Sequence, residues 1–122
     1  MKDLKIVLVD DSPVIRDYLD TTLARIKGCT VVGMAADGIE AVNVIRELRP
    51  HIVVLDIAMP HRNGIEVLRE IRKQDSDIVI IMFTADPSIV LEDICLKEGA
   101  NHYLDKSEVL DLVAICKDLV AS

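Results

Sequence analysis

Asp10, Asp11, Asp56, Thr84 and Lys106 are the residues whose types and positions fit them for shared chemistry. Each stands at or just past the end of a short apolar run. Leu4 to Val9 precede the Asp10-Asp11 pair, Ile52-Val53-Val54-Leu55 precede Asp56, Ile78 to Phe83 precede Thr84, and Asn101 to Leu104 precede Asp105-Lys106. Taken singly, each has a plain explanation. Asp56 can open a turn, Asp10-Asp11 can be a solvated turn, Thr84 a helix cap and Lys106 a surface charge. Taken together, all five fall at C-terminal strand ends, which in a parallel sheet lie along one edge. That edge is where ligands of open α/β sheets collect. Three carboxylates crowded there would repel one another, and a hard divalent cation with oxygen ligands relieves that repulsion. Magnesium suits such a set, taking a few carboxylates, a carbonyl and several waters in an octahedron. Thr84 adds a hydroxyl donor, and Lys106 a compact positive charge that can meet a phosphate oxygen. The set is a place to put a phosphoryl group on a carboxylate, with the cation and Lys106 stabilising the equatorial oxygens.

The elements that must position these residues follow from hydrophobic periodicity. The first strand, Leu4 to Val9, is followed by Ser12 as N-cap and Pro13 at the first helical position. Ile15, Leu19, Leu23 and Ile26 form that helix's apolar stripe, and Gly28 stops it. Thr30 to Ala35 read as a second strand. Asp37 then caps a helix in capping-box spacing with Glu40; Ala41, Ile45 and Leu48 face inward, and Pro50 ends the element. The third strand, Ile52 to Leu55, leads through a loop with Pro60, Asn63 and Gly64 into a helix marked by Ile65, Leu68 and Ile71, which ends near Gln74. After the fourth strand, Asp86-Pro87 should start a helix that runs to Gly99. The fifth strand, Asn101 to Leu104, precedes a last helix capped by Ser107 and carrying Val109, Leu112, Val113, Cys116, Leu119 and Val120. Alternating β and α units with strands apolar on both sides predict an α/β fold, a parallel sheet covered by helices on both faces. Right-handed crossovers favour the flavodoxin-like strand order 2-1-3-4-5, with the first and third strands meeting at the topological switch point.

Composition narrows the function. The chain has 122 residues, enough for one domain with its own core. Its only aromatic residues are Tyr18, Phe83 and Tyr103, so the core must be aliphatic and no stacking platform for single-stranded nucleic acid is available. The net charge of −7 argues against nucleic acid as a direct ligand and fits a protein that holds a cation. No apolar run approaches the roughly 18 residues of a membrane span, and the N-terminus turns acidic too early for a signal peptide. Cys29, Cys95 and Cys116 are too few and too scattered for a disulfide framework or a zinc site, and are expected as buried reduced thiols of a cytoplasmic protein. His51, His61 and His102 show no ligand spacing and receive no role.

The chain resembles the receiver domain of two-component response regulators, the CheY-like group, over essentially its whole length. The resemblance is carried by VLVDDS at 7–12, VVLDIAMP at 53–60 with Gly64, the TA at 84–85 and YLDKS at 103–107. It implies that Asp56 accepts a phosphoryl group from a phosphohistidine on a sensor histidine kinase or phosphotransfer protein. It further implies that Asp11 and Asp56 hold magnesium directly with the backbone carbonyl of Ala58, and that Asp10 does so through water. Lys106, Thr84 and the amide of Ala85 would contact the phosphoryl oxygens. Thr84 would move toward the phosphate and Tyr103 would turn inward, although simple edge packing also accounts for an aromatic at 103. The face of the fourth helix, fifth strand and fifth helix would then change shape for a downstream protein partner.

On that face the fourth helix carries Ile89, Val90, Leu91, Ile94, Cys95 and Leu96, more than one buried stripe needs, and the fifth adds Leu110, Ala114 and Ile115. The excess fits a partner or self-association site, and equally a wider core contact. Residues 1–122 are expected as a single receiver domain without an output domain, signalling by docking rather than by turning over a substrate. An aspartyl-phosphate hydrolase of the haloacid dehalogenase type would need D-x-D, which neither Asp56-Ile57-Ala58 nor Asp10-Asp11-Ser12 supplies. A flavin or nucleotide binder would need a Gly-rich loop after the first strand, which is missing. A flavodoxin-like adaptor that switches without phosphate is the remaining alternative.

Two positions depart from the family pattern. Ser107 stands where many receivers have proline, often after a cis bond; before a non-proline residue that bond costs roughly 3 kcal/mol, so the Lys106-Ser107 geometry is left open. Ala58 stands where many relatives carry a polar side chain able to touch the phosphate or its attacking water, with Asp86 two residues past Thr84 in the same region. Ala58→Asn is therefore predicted to alter the dephosphorylation rate more than the magnesium affinity. A radiolabel chase beside a metal titration checks this; an unchanged phosphoryl lifetime refutes it.

Overall fold

The computed structural model describes residues 3–85 and 88–122. Five strands alternate with five helices: β1 (Leu4–Val9), α1 (Pro13–Ala24), β2 (Cys29–Ala35), α2 (Gly38–Leu48), β3 (Ile52–Leu55), α3 (Gly64–Gln74), β4 (Val79–Thr84), α4 (Ile89–Lys97), β5 (His102–Asp105) and α5 (Val109–Ala121). All strand pairs are parallel, in the order β2-β1-β3-β4-β5. The predicted α/β architecture and strand order are those observed.

Period-two alternation along the central strands sorts their side chains between two cores. Val7, Val9, Val53, Leu55, Ile80 and Met82 pack with α2, α3 and Cys95 of α4. Ile6, Leu8, Ile52, Val54, Ile81 and Phe83 pack with α1 and α5. Strands buried on both faces show no polar alternation, which is why they read as continuous apolar runs. The three cysteines are buried and free. Burial, and then proximity to Cys29, pushes the Cys116 thiol up to about 12, far from a reactive thiolate.

Local chemistry sets the helix starts. Ser12 caps α1, accepting from the Ile15 amide, with Pro13 in the first turn as predicted. Asp37 caps α2 by accepting from the Glu40 amide at 2.8 Å. Glu40 does not close the predicted box: its carboxylate accepts from Ala36, one residue upstream of the cap. The true capping box is at α3, where Asn63 and Glu66 bond reciprocally. Ser107 is not the cap of α5. Asp105 takes the Ser107 amide at 2.7 Å in an Asx turn, so the helix starts one residue later from Glu108, whose own carboxylate turns back to the Asp105 amide. Asp86 and Pro87, expected to open α4, lie outside the described residues; the helix starts at Ile89 with Ser88 as N-cap. No described peptide bond is cis, so Lys106-Ser107 is trans.

His51, given no role by spacing, ties three strands at the N-terminal edge of the sheet. Its Nδ1 accepts from the Lys5 amide at 2.9 Å, its amide donates to the Lys5 carbonyl, and its carbonyl accepts from Val79. The side chain completes a ladder rung that no backbone group supplies. His51→Ala should destabilise the fold by about 1 kcal/mol, in the range of a single net hydrogen bond. His51→Asn, which retains a short-range acceptor, should recover part of it. Urea melts of the three proteins test this; equal midpoints for wild type and the alanine variant would refute it.

Candidate functional site

The parallel register brings the predicted residues to one edge. The Asp10 amide donates to Ala35 of β2, and the Asp56 amide to Val9 of β1, so both aspartates extend the sheet by one rung. Asp10, Asp56 and Thr84 are the only described polar or charged residues in the buried class. Lys106 follows β5, its amide held by the Thr84 carbonyl at 2.9 Å. Its Nζ lies 2.8 Å from Asp10 Oδ2 and 3.2 Å from Asp56 Oδ2. The other Asp10 oxygen accepts from the Ser12 amide at 2.9 Å. Asp11 is exposed, yet one carboxylate oxygen from each of Asp10, Asp11 and Asp56 falls within 4.8 Å of the others.

The sequence-predicted residues therefore converge, with different standing. Asp10, Asp11, Asp56 and Lys106 form one cluster. Thr84 is buried at the end of the neighbouring strand, and Ala85 and Ala58 are exposed on the rim. Tyr103 is partly buried and packs against the core on the α2–α3–α4 side of the sheet. Ile89, Val90, Leu96 and Leu110 are exposed, Ile89 by 85% and Leu110 by 81%. Only Cys95 of α4 is fully buried, so the apolar excess on α4 is surface and not a wider core contact.

Two site elements have roles that only the folded structure shows. Gly64 is one: its amide closes the loop onto the Ile57 carbonyl at 2.8 Å, and a Cβ there would collide with the Asp56 carbonyl oxygen. Gly64 belongs to the family pattern in the sequence, but the reason for a glycine there, its closeness to Asp56, needs the folded loop. Arg16 is the other. Its Nη1 donates to the Asp10 carbonyl at 2.7 Å, and no motif in the sequence marks it.

Electrostatics favours a cation at this cluster. Burial, then the neighbouring Asp10 charge, raises the Asp56 pKa, and Lys106 only partly opposes them. Burial would lower the Lys106 pKa, but its hydrogen bond to Asp10 and the charges of both carboxylates outweigh that and raise it. One ammonium thus meets two buried carboxylates, and a third carboxylate, from Asp11, lies within 4.8 Å of both. Oxygen donors of this hardness, in this number, are the donor set of magnesium rather than of zinc or copper. A hollow of about 490 Å³ lies between the C-terminal ends of α2 and α3, at the other edge of the sheet, and has no part in this cluster.

The response regulator receiver domain profile matches residues 6–117. The chain is 33% identical over 105 residues to the probable C4-dicarboxylate response regulator DctR of Bacillus subtilis, covering 86% of this chain and 46% of that protein. It is 44% identical over 102 residues to the probable transcriptional regulator ycf27 of Guillardia theta, covering 84% and 39%. It thus spans less than half the length of these curated relatives. Among solved structures, a LuxR-family two-component response regulator from Aurantimonas superimposes with a TM-score of 0.91 at 35% identity, covering 98% of this chain and 86% of that one. The CheY of a CheX-CheY-BeF3-Mg complex from Borrelia burgdorferi does so with 0.80 at 32% identity, covering 88% and 84%. The chain belongs to the response regulator receiver domain family of two-component signalling. Receivers of this family ordinarily bind Mg2+ at an acidic pocket and interact with histidine kinases and downstream effectors; here the acidic cluster is Asp10, Asp11 and Asp56. No helix among the described residues is long and apolar enough to cross a membrane.

The raised Asp56 pKa has a consequence for stability. A carboxyl whose folded pKa lies above its unfolded value favours the fold while protonated, and that contribution is lost as pH rises through the folded pKa. At neutral pH ionised Asp56 therefore opposes folding of the metal-free protein. Asp56→Asn should raise the melting temperature in chelator-treated buffer at pH 7, and the difference from wild type should shrink as pH falls below the carboxylate range. Thermal melts across pH test this; an asparagine variant less stable than wild type at pH 7 would overturn it.

Proposed function

We propose that this chain is a phosphorylation-driven switch in which Asp56 is the phosphoacceptor. The observation that carries the reading is the convergence of three carboxylates within 4.8 Å, with Lys106 bridging Asp10 and Asp56, in a chain of the receiver family. An Asp56 carboxylate oxygen attacks the phosphorus of a phosphohistidine on a kinase or phosphotransfer protein. The P–O bond forms as the P–N bond breaks, and the leaving imidazole takes up a proton. Burial of Asp56 strips its water, and the Lys106 ammonium stands ready to pair a phosphoryl oxygen. The Thr84 hydroxyl and the Ala85 amide, at the end of the adjacent strand, are the further donors. Asp11, Asp56 and the Ala58 carbonyl would hold magnesium directly, and Asp10 through water. When bound, magnesium supplies charge neutralisation for the carboxylates and the phosphoryl oxygens. The Borrelia relative, solved with BeF3 and Mg, supports the assignment of that pair to this cluster.

The switch reads out at the surface of α4, β5 and α5. Thr84 on phosphate and Tyr103 turning inward would reshape that surface, and its exposed Ile89, Val90, Leu96 and Leu110 are the apolar contacts a downstream protein or a second copy would cover. The protein takes part in its own phosphorylation and dephosphorylation and turns over no separate substrate.

Intact-mass spectrometry after incubation with acetyl phosphate, with and without magnesium, tests the reading. A single magnesium-dependent phosphoryl adduct is expected on wild type and none on Asp56→Asn. No adduct under conditions that label a control receiver would favour a module that switches without phosphate.

A further inference from the structure

Asp10 and Asp11 need more than strand geometry to converge with Asp56. Asp10 is fixed at every polar group: its amide to Ala35, one carboxylate oxygen to Ser12, the other to Lys106, and its carbonyl to Arg16. Asp11 is different. It is exposed, and no described group holds its carboxylate. The Asp10-Asp11 peptide that carries it presents its carbonyl to the Arg16 guanidinium, which donates to it at 2.7 Å. That bond is short and charge-assisted. The Arg16 backbone is anchored in the first turn of α1, its amide donating to the Ser12 carbonyl at 3.0 Å, and its side chain reaches back over the helix start to Asp10.

We propose that Arg16 is a positioning residue for the cation site: by holding the Asp10 carbonyl it aims the Asp11 carboxylate into the cluster with Asp56. The proposal rests on the receiver reading above. Without the guanidinium, the Asp10-Asp11 peptide can rotate and Asp11 swings to solvent. Outer contacts that orient a ligand without touching the metal matter by roughly 10–100-fold in affinity.

The sign of the effect separates positioning from electrostatics. A guanidinium beside a cation site repels the cation, so its removal by charge alone would tighten magnesium binding. Loss of positioning weakens it. Arg16→Met removes both the charge and the donor; Arg16→Gln removes the charge but keeps an N–H donor. Isothermal titration of MgCl2 into wild type and both variants reads the difference, with thermal melts in chelator to verify that each variant is folded. The expected result is binding about tenfold weaker in Arg16→Met, with Arg16→Gln at least threefold tighter than Arg16→Met. Equal or tighter binding in folded Arg16→Met overturns the proposal, and so does equal weakening in both variants. Failure of wild type to bind magnesium at all would instead overturn the reading of the cation site, and this proposal with it.

Discussion

One ammonium held between two buried carboxylates is the contact on which the site depends. Asp10 and Asp56 are almost wholly removed from solvent, and Lys106 stands between them with a side chain only 19% exposed. Removing a carboxylate from water carries a penalty of several kcal/mol that a single cation offsets only with good geometry and further hydrogen bonds. Asp10 has those bonds, one to each oxygen. Asp56 is bonded by Lys106 and the Ile57 backbone, but burial and the neighbouring Asp10 charge outweigh these and raise its pKa. The cluster is thus under-neutralised, and under the proposed function a divalent cation supplies the missing charge before a phosphoryl group is added beside Lys106.

Holding those charges so close requires a rigid frame, and the frame is the aliphatic sheet. The central strands are buried on both faces, and their backbone ladder runs into the site: Val9 carries the Asp56 amide, Ala35 the Asp10 amide, and Thr84 the Lys106 amide. A one-residue slip in any of these pairings would turn a site residue to the opposite face. Packing specifies the register, because each slip would also move β-branched core residues between the two clusters. Gly64 adds a local constraint, since the loop that leaves Asp56 can close only where no side chain intervenes.

The sequence was most legible where two signals coincided. The strands β1, β3 and β4 combine apolar runs with polar stops, and the site residues are those stops. Helix starts were legible only in part. Ser12-Pro13 carries its own geometry, but Ser107 competes with Asp105 for the same turn, and a neighbour that takes its amide is not visible in residue types alone. Asn63 reads as a loop residue beside Pro60 and Gly64, although Glu66 completes its box. Arg16 was illegible for a deeper reason. It acts on a backbone carbonyl six residues away, any long cationic side chain in a first helical turn looks the same in sequence, and only the folded helix start shows its direction.

The same distinction explains α4, the element whose apolar count exceeded its burial. A helix that buries one residue, Cys95, gets little hold from the core and is held mainly at its C-terminal end. Its C-terminal end is well tied: Arg72 donates to the Gly99 carbonyl and to Asn101, Asn101 in turn accepts from Ile80, and Arg69 pairs with Glu98. Its N-terminal end exposes Ile89 and Val90 and is fixed by the Ser88 cap. Few buried contacts at one end and a network at the other make the opening of α4 the less stable part, the kind of segment from which moving elements are drawn. That end follows Thr84 and Ala85 in the chain. Under the proposed function, a change at the phosphate-facing end of β4 therefore meets the loosely held end of α4 first, and the apolar residues there are the ones already facing solvent.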